Sequence, residues 1–269
     1  MKLLSSLFAA AITLTLSGCI INVNADHGGP MEHQKKQLQL NAADIDTFTA
    51  NTGAGELIIL GVDGLSEINV TADIYTYGDN EANLVLKKQG RKAKLIAEFD
   101  SNIHFNRSPY IDLTIKVPAT MMLALEDGSG DIEINGVTAN INLDDGSGSL
   151  LIKGGQDLNI VDGSGSISIS NTTGKLNLDD GSGSINLNNI GGSTNINDGS
   201  GSIIVNNIGD NTNINDGSGD ITVTNVNGHV VIDDGSGDIE VDNTKGLSIV
   251  EAGSGDLSID NINGSVSMH

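Results

Sequence analysis

Tryptophan is absent from this sequence of 269 residues, cysteine occurs once, and proline occurs three times. With a single Cys, disulfides within the chain are excluded, so packing and hydrogen bonds must hold the fold. Aromatic residues make up only 3% of the chain, and from Asp127 to the C-terminus there is none. An interior without aromatics must be thin and aliphatic. Basic residues are scarce as well: 13 Lys and Arg stand against 35 Asp and Glu, for a formal charge of -22. From Glu126 onward, 22 acids face three Lys (Lys153, Lys175, Lys245) and no Arg. Nucleic acid is excluded as a partner by that balance, because binding phosphates takes Lys and Arg to displace counterions. An acidic, polar surface reads first as a soluble one, with a cation or a basic partner as the alternatives.

The first residues carry an address. Lys2, the apolar stretch Leu3–Leu16 and the small residues Ser17 and Gly18 form a secretion signal, since the hydrophobic run is too short to span a bilayer. Leu16-Ser17-Gly18-Cys19 resembles the lipobox of bacterial lipoproteins. That resemblance implies cleavage before Cys19, acylation of its thiol and a lipid anchor in the membrane; an ordinary signal peptide that happens to hold a thiol is the alternative. Each buried methylene of an acyl chain contributes roughly 0.8 kcal/mol of membrane attachment. Ile20 stands where inner-membrane retention usually has Asp, so the same resemblance favours the outer membrane, with the periplasmic or the outer face left open. The chain then divides into a signal peptide (1–18), a lipidated tether (19–39), an irregular β region that caps the solenoid (40–126) and a regular repeat region (127–269).

What dominates the chain is a clock. Asp-Gly-Ser-Gly begins at Asp127, Asp145, Asp162, Asp180, Asp198, Asp216 and Asp234, and Ala-Gly-Ser-Gly at Ala252, a period of 18 residues with one step of 17. A fixed period near 20 marks a stacked repeat architecture, in which each unit buries its apolar face only against its neighbours. Five and seven residues after the starts stand pairs such as Ile167 and Ile169, Ile185 and Leu187, Ile203 and Val205. Fourteen and sixteen after stand Leu176 and Leu178, Thr194 and Ile196, Thr212 and Ile214. Both are period-2 strands with one buried face. Frequent Gly, and the lack of any apolar period of 3.6, exclude helix. The expected fold is all-β: a parallel β-solenoid of 18-residue coils, each with two short strands joined by a Gly-Ser-Gly turn and an Asn-X-X-Gly corner. Coils stacked in register about 4.8 Å apart would make eight of them a rod of roughly 38 Å.

Two files of polar side chains arise from that stacking. Asn171, Asn189, Asn207, Asn225, Asn243 and Asn261 fall nine residues after successive starts. Stacked Asn can pass side-chain hydrogen bonds along the rod, and Asn tolerates the left-handed backbone of a sharp corner. Gly174, Gly192, Gly228, Gly246 and Gly264 are expected to supply positive φ at the same corner. The second file is acidic: Asp127, Asp145, Asp162, Asp180, Asp198, Asp216 and Asp234. Mutual repulsion makes it tolerable where it faces water or is bridged by cations. No cofactor is required, and calcium is the one candidate. Calcium takes six to eight oxygens, and secreted calcium β-rolls share a coil of 18 built from two nine-residue repeats. Here the half-coil ending in Asn lacks the glycine-rich motif.

Residues 40–118 are less regular but related. Gly53-Ala54-Gly55-Glu56-Leu57-Ile58-Ile59 echoes Gly128-Ser129-Gly130-Asp131-Ile132-Glu133-Ile134, so the rod is expected to begin near residue 45. Longer alternating runs at 67–75, 83–88, 92–99, 110–117 and 121–126 predict strands joined by hairpins. They would cap an otherwise open sheet edge. Lys87, Lys88, Arg91, Lys92 and Lys94 cluster there, either as a solvated turn or as a contact to the membrane surface. An enzyme is not expected, because the acids recur as the repeat does and no Ser has a His partner of its own.

The repeat resembles that of a bacterial putative-adhesin family of uncharacterised function, whose members repeat Gly-Ser-Gly-Asp-Ile-X-Ile and form β-helices. Gly217-Ser218-Gly219-Asp220-Ile221-Thr222-Val223 and Gly235-Ser236-Gly237-Asp238-Ile239-Glu240-Val241 carry the resemblance, with Gly-Ser-Gly-Ser replacing the motif at 163–166 and 181–184. The expectation is a non-enzymatic, lipid-anchored envelope solenoid that presents a repetitive acidic face to a protein or glycan surface. A periplasmic scaffold or sensor component that binds one protein partner, and a calcium-stabilised rod, are the alternatives.

Overall fold

A computed structural model describes residues 31–77, 81–99 and 108–268. The signal peptide, Cys19 and the first part of the expected tether lie outside the described residues. The architecture is the expected all-β parallel solenoid, and no helix occurs among the described residues.

Each coil contributes one strand to each of two sheets. The first strands stack in register, with Ile167 beside Ile185, Ile203 and Ile221 in successive coils. In the second strands, Leu176 lies beside Thr194 and Thr212. Identical positions meet because parallel in-register stacking puts every residue against its counterpart one period away. Inward residues such as Ile169, Leu187, Val205 and Val223 are fully buried, and they form one continuous aliphatic core along the rod. Among the described residues Phe48 is the one fully buried aromatic side chain of that core, with Phe99 packed against it from its rim. It sits in the irregular N-terminal region, before the repeats begin.

The single 17-residue step is taken up at a corner. In that coil the left-handed position is Gly154, followed by Gly155, with φ of 114° and 95°, and the partners on either side, Leu150↔Ile167 and Ile141↔Leu158, stay in register. Glycine absorbs the missing residue because it accepts backbone angles closed to other residues.

At the N-terminal end the order in space departs from the order in sequence. The strands are β1 (Met31–Asn41), β2 (Thr47–Ala54), β3 (Leu57–Val62), β4 (Glu67–Tyr77), β5 (Ala82–Gln89), β6 (Lys92–Phe99), β7 (Tyr110–Pro118), β8 (Met122–Ser129) and β9 (Ile132–Asn135). The echo around Gly53 becomes a direct neighbour pair, with Leu57 and Ile59 beside Ile132 and Ile134. On its other side the β2–β3 coil pairs in parallel with β6 and β7. The chain thus lays down its second coil first, adds the outer coil beside it, and crosses back through residues 119–121 to start β8. Beyond the outer coil the pairing turns antiparallel, β4 on β7, β1 on β4 and β5 on β6.

Met31–Asn41, the latter part of the stretch expected as a tether, is therefore an edge strand. Its register, from Met31↔Tyr77 to Asn41↔Glu67, covers β4 along its whole length. Both outermost strands at this end carry lysines, Lys35 and Lys36 on β1 and Lys87 and Lys88 on β5, a charge placement that discourages further strands from adding.

Candidate functional site

The acidic file is not where water can reach it. Leu176, Leu178 and Asp180 alternate on one face of their strand, so the Asp occupies the third inward position, and the same holds in every regular coil. Asp127, Asp145, Asp162, Asp180, Asp198, Asp216 and Asp234 are between 0% and 8% exposed. From Asp145 onward, one carboxylate oxygen of each accepts the backbone N–H of the turn Ser two residues on, at 3.1–3.3 Å. The other, Oδ2, is buried in all seven without a hydrogen-bond partner. Asp127 differs in using the hydroxyl of Thr52 as its donor.

Buried, stacked carboxylates resist ionising together. Two unit charges about 4.8 Å apart repel by about 3.5 kcal/mol at an effective dielectric of 20. Burial, reinforced by the flanking Asp127 and Asp162, pushes Asp145 up to about 6. Burial with Asp198 and Asp162 does the same for Asp180, again to about 6. Asp198 and Asp216 are also raised to about 6, with burial as the leading cause. Burial raises Asp127, Asp162 and Asp234 as well. The acids beside the file play other parts. Asp144 and Asp179 point outward and are exposed, while Asp131 and Asp220 each accept a backbone N–H from the next coil at 2.9 and 3.1 Å.

This geometry suits calcium poorly. Each coil turns one free oxygen inward, into an interior of Ile, Leu and Val, where a calcium shell takes six to eight oxygens. Among the described residues no group of three or more His, Cys, Asp or Glu is placed to hold a metal.

The corner asparagines all adopt the left-handed backbone, with φ between 52° and 59°. Their side chains are exposed and bond along the rod in segments. Asn189 Nδ2 donates to Asn171 Oδ1 at 3.2 Å, and Asn207 Nδ2 to Asn189 Oδ1 at 3.1 Å. Asn225 instead donates to Asn206 at 3.0 Å, Asn243 returns to Asn225 at 2.7 Å, and Asn261 donates to Asp242 at 2.7 Å. The corner glycines serve differently from expectation. Gly174, Gly192, Gly228, Gly246 and Gly264 have no positive φ; the left-handed angle belongs to the Asn and to the second Gly of most Gly-Ser-Gly turns. Their requirement is room: a Cβ on Gly192 would lie 2.7 Å from the Gly174 carbonyl carbon of the coil below.

The outward face of the second sheet carries a feature the period also encoded. Asn142, Asn159, Asn177, Asn195 and Asn213 form one rail of exposed carboxamides, with Asn159 donating to Asn142 at 2.9 Å and Asn177 to Asn159 at 2.8 Å. Two residues on, Glu126, Asp144, Val161, Asp179, Asn197 and Asn215 form a second rail, mostly acidic at its N-terminal end. Between the rails runs an open trough that continues to Lys92 and Lys94 on β6. Recurrence of Asn fifteen residues after the starts, fourteen in the short coil, was the available signal for the first rail.

The basic cluster is partly engaged. Lys88 donates to the Ala43 carbonyl at 2.8 Å, and Arg91 pairs with Asp46 at 2.8 Å. The guanidinium beside Asp46 holds that carboxyl below its ordinary value, and Asp46 raises Arg91 in return. His229 is half-buried and its Nε2 lies 2.9 Å from Ser248 Oγ, so, against the expectation from sequence, one Ser does have a His beside it.

The Toastrack DUF4097 family profile matches residues 66–228, more than half of the chain. The chain belongs to the Toastrack DUF4097 family. No curated protein matches it. Solved structures similar to this Toastrack chain include one described as a putative adhesin from Bacteroides fragilis (15% identity, TM-score 0.41, 88% of this chain and 97% of that one). Another is described as a putative lipid binding protein from Parabacteroides distasonis (15%, TM-score 0.46, 87% and 96%), and a third as a putative cell adhesion protein from Clostridium sporogenes (13%, TM-score 0.30, 88% and 99%). None of these descriptions names an enzymatic activity.

Proposed function

We propose that this Toastrack protein is a non-enzymatic, lipid-anchored solenoid of the cell envelope that presents a repeated polar and acidic face for adhesion or for contact with the envelope or its matrix. The observation that carries this reading is the pair of rails beside the trough, Asn142 to Asn213 and Glu126 to Asn215. A stiff rod that offers the same groups at every coil can sum many weak contacts into avidity. The proposed anchoring through Cys19 at the outer membrane rests on the other end of the chain, where Leu16-Ser17-Gly18-Cys19 resembles a lipobox. The partner class that fits exposed carboxamides and carboxylates is a protein or glycan surface rich in hydrogen-bond donors.

Protease shaving of intact cells tests it, with an antibody against the repeat region and a known periplasmic protein as control. Cleavage while the control stays intact is the expected result. Protection that disappears only when the outer membrane is permeabilised would replace this reading with a periplasmic scaffold that binds one protein partner.

A further inference from the structure

The inward Asp file stands apart from the rest of the acid in this protein. Its seven members share one environment: a single turn N–H or hydroxyl for one oxygen, and an enclosed second oxygen with no partner. The strands that come after each turn present Leu150, Ile167, Ile185, Ile203 and Ile221 inward, all buried and all apolar. Apart from members of the file itself, the charged groups that act on it are again acids, Asp220 and Asp233 near Asp234. On the same strands Asp144 and Asp179 face outward. A lone buried carboxylate would be a defect, yet this one is repeated in seven consecutive coils.

We propose that the seven inward Asp side chains act as one proton-binding file, which takes up protons as the medium turns mildly acidic and tightens the rod as it does so. A proton on any inner member removes repulsion on both sides at once and relieves the burial of a charge. Successive members are therefore coupled: each proton taken up lessens its neighbours' pull on the next, so the file fills in steps that belong to it as a whole and spread over a wider pH range than independent sites would.

The direction is set by where the groups titrate. Burial first, then like-charged neighbours, hold Asp145 and Asp180 at about 6, against an ordinary value near 3.9 in an unfolded chain. The folded rod therefore binds protons more tightly than the unfolded chain. This stabilisation is complete below the unfolded value and is lost as the pH rises through about 6. Asp46 and Asp73 are held below the ordinary carboxylate value, so they act outside that window. At Asp73 burial works against ionisation, and hydrogen bonds from Lys35 and His33 outweigh it.

Thermal melts of the mature protein between about pH 8 and about pH 5 test the proposal, read alongside the pH titration of the Asp carboxyl carbons by NMR. The expected result is a melting temperature that rises by more than about 5 °C on acidification, with the carboxyl carbons of Asp145, Asp180, Asp198 and Asp216 titrating at about 6. Observing the carbons directly separates the file from histidine, which changes charge in the same range. The double variant Asp180→Asn/Asp216→Asn should melt higher than the parent at about pH 8 and show a smaller rise, since it carries neutral side chains of the same shape. A melting temperature that stays flat or falls towards about pH 5 in the parent protein would overturn the proposal, as would seven inward carboxyls that all titrate near the ordinary value. Both of these outcomes are read on the parent protein and hold even if the variant does not fold.

Discussion

Asn207 Nδ2 donates to Asn189 Oδ1 at 3.1 Å across one coil, and both residues hold left-handed backbones, at φ 59° and 58°. One residue type thereby meets two demands of the corner, an unusual backbone angle and a bond along the rod. Six such corners in succession make asparagine the residue that closes the coil at the end opposite the Gly-Ser-Gly turn.

The two demands can be separated. Asn207→Ala should destabilise the rod by about 2 kcal/mol, because Ala is strained in the left-handed backbone and loses the bonds to Asn188 and Asn189. Asn207→Gly should recover about half of that loss, since Gly accepts the angle but makes no bond. Urea denaturation of the three proteins checks the ranking. Equal losses for Ala and Gly would show that the hydrogen bonds alone matter.

Two glycines with positive φ should respond very differently to alanine. Gly201 has φ 141°, and a Cβ there would run into the Gly183 carbonyl of the coil below. Gly201→Ala is expected to cost at least about 3 kcal/mol. Gly64 has φ 70° with nothing within 4 Å of its would-be Cβ, so Gly64→Ala should cost only about 1 kcal/mol of backbone strain. Thermal melting distinguishes the two. A Gly201→Ala protein as stable as Gly64→Ala would mean that the stacked turns can separate without cost.

Calcium chelation should leave the melting temperature of the rod unchanged. The Asp file offers one inward oxygen per coil, and the outward acids are spread along an open rail. Addition of a strong chelator, followed by calorimetry, tests this. A fall of more than about 10 °C would show a bound ion sharing the load, as stabilisation by a ligand specific to the folded state requires.

Much of the rod is legible in the sequence. Recurrence of Ile167, Ile185, Ile203 and Ile221 sets the coil, because in-register stacking rewards the same side chain at the same place. The left-handed asparagines arise from the same recurrence together with asparagine's backbone tolerance. The direction of the Asp file is legible too, in the alternation Leu176, Leu178, Asp180. The charge on Asp argued for water, but two residues of spacing kept it on the buried face. Chemical type misled where strand geometry decided.

At the N-terminal end the sequence carries alternation without a period. Runs such as Glu67–Tyr77 and Lys92–Phe99 identify themselves as strands, yet alternation specifies only which face is buried, and it fits a parallel or an antiparallel neighbour equally well. Only the tertiary structure settles that β6 and β7 form the outer coil, that β2–β3 lies between them and β8–β9, and that Met31–Asn41 closes the edge as a strand. The physical reason is that a repeat states its own neighbour one period away, whereas a strand without a repeat finds its neighbour through packing and hydrogen bonds to residues far off in the chain. The period determined the rod, and long-range pairing decided how the rod begins.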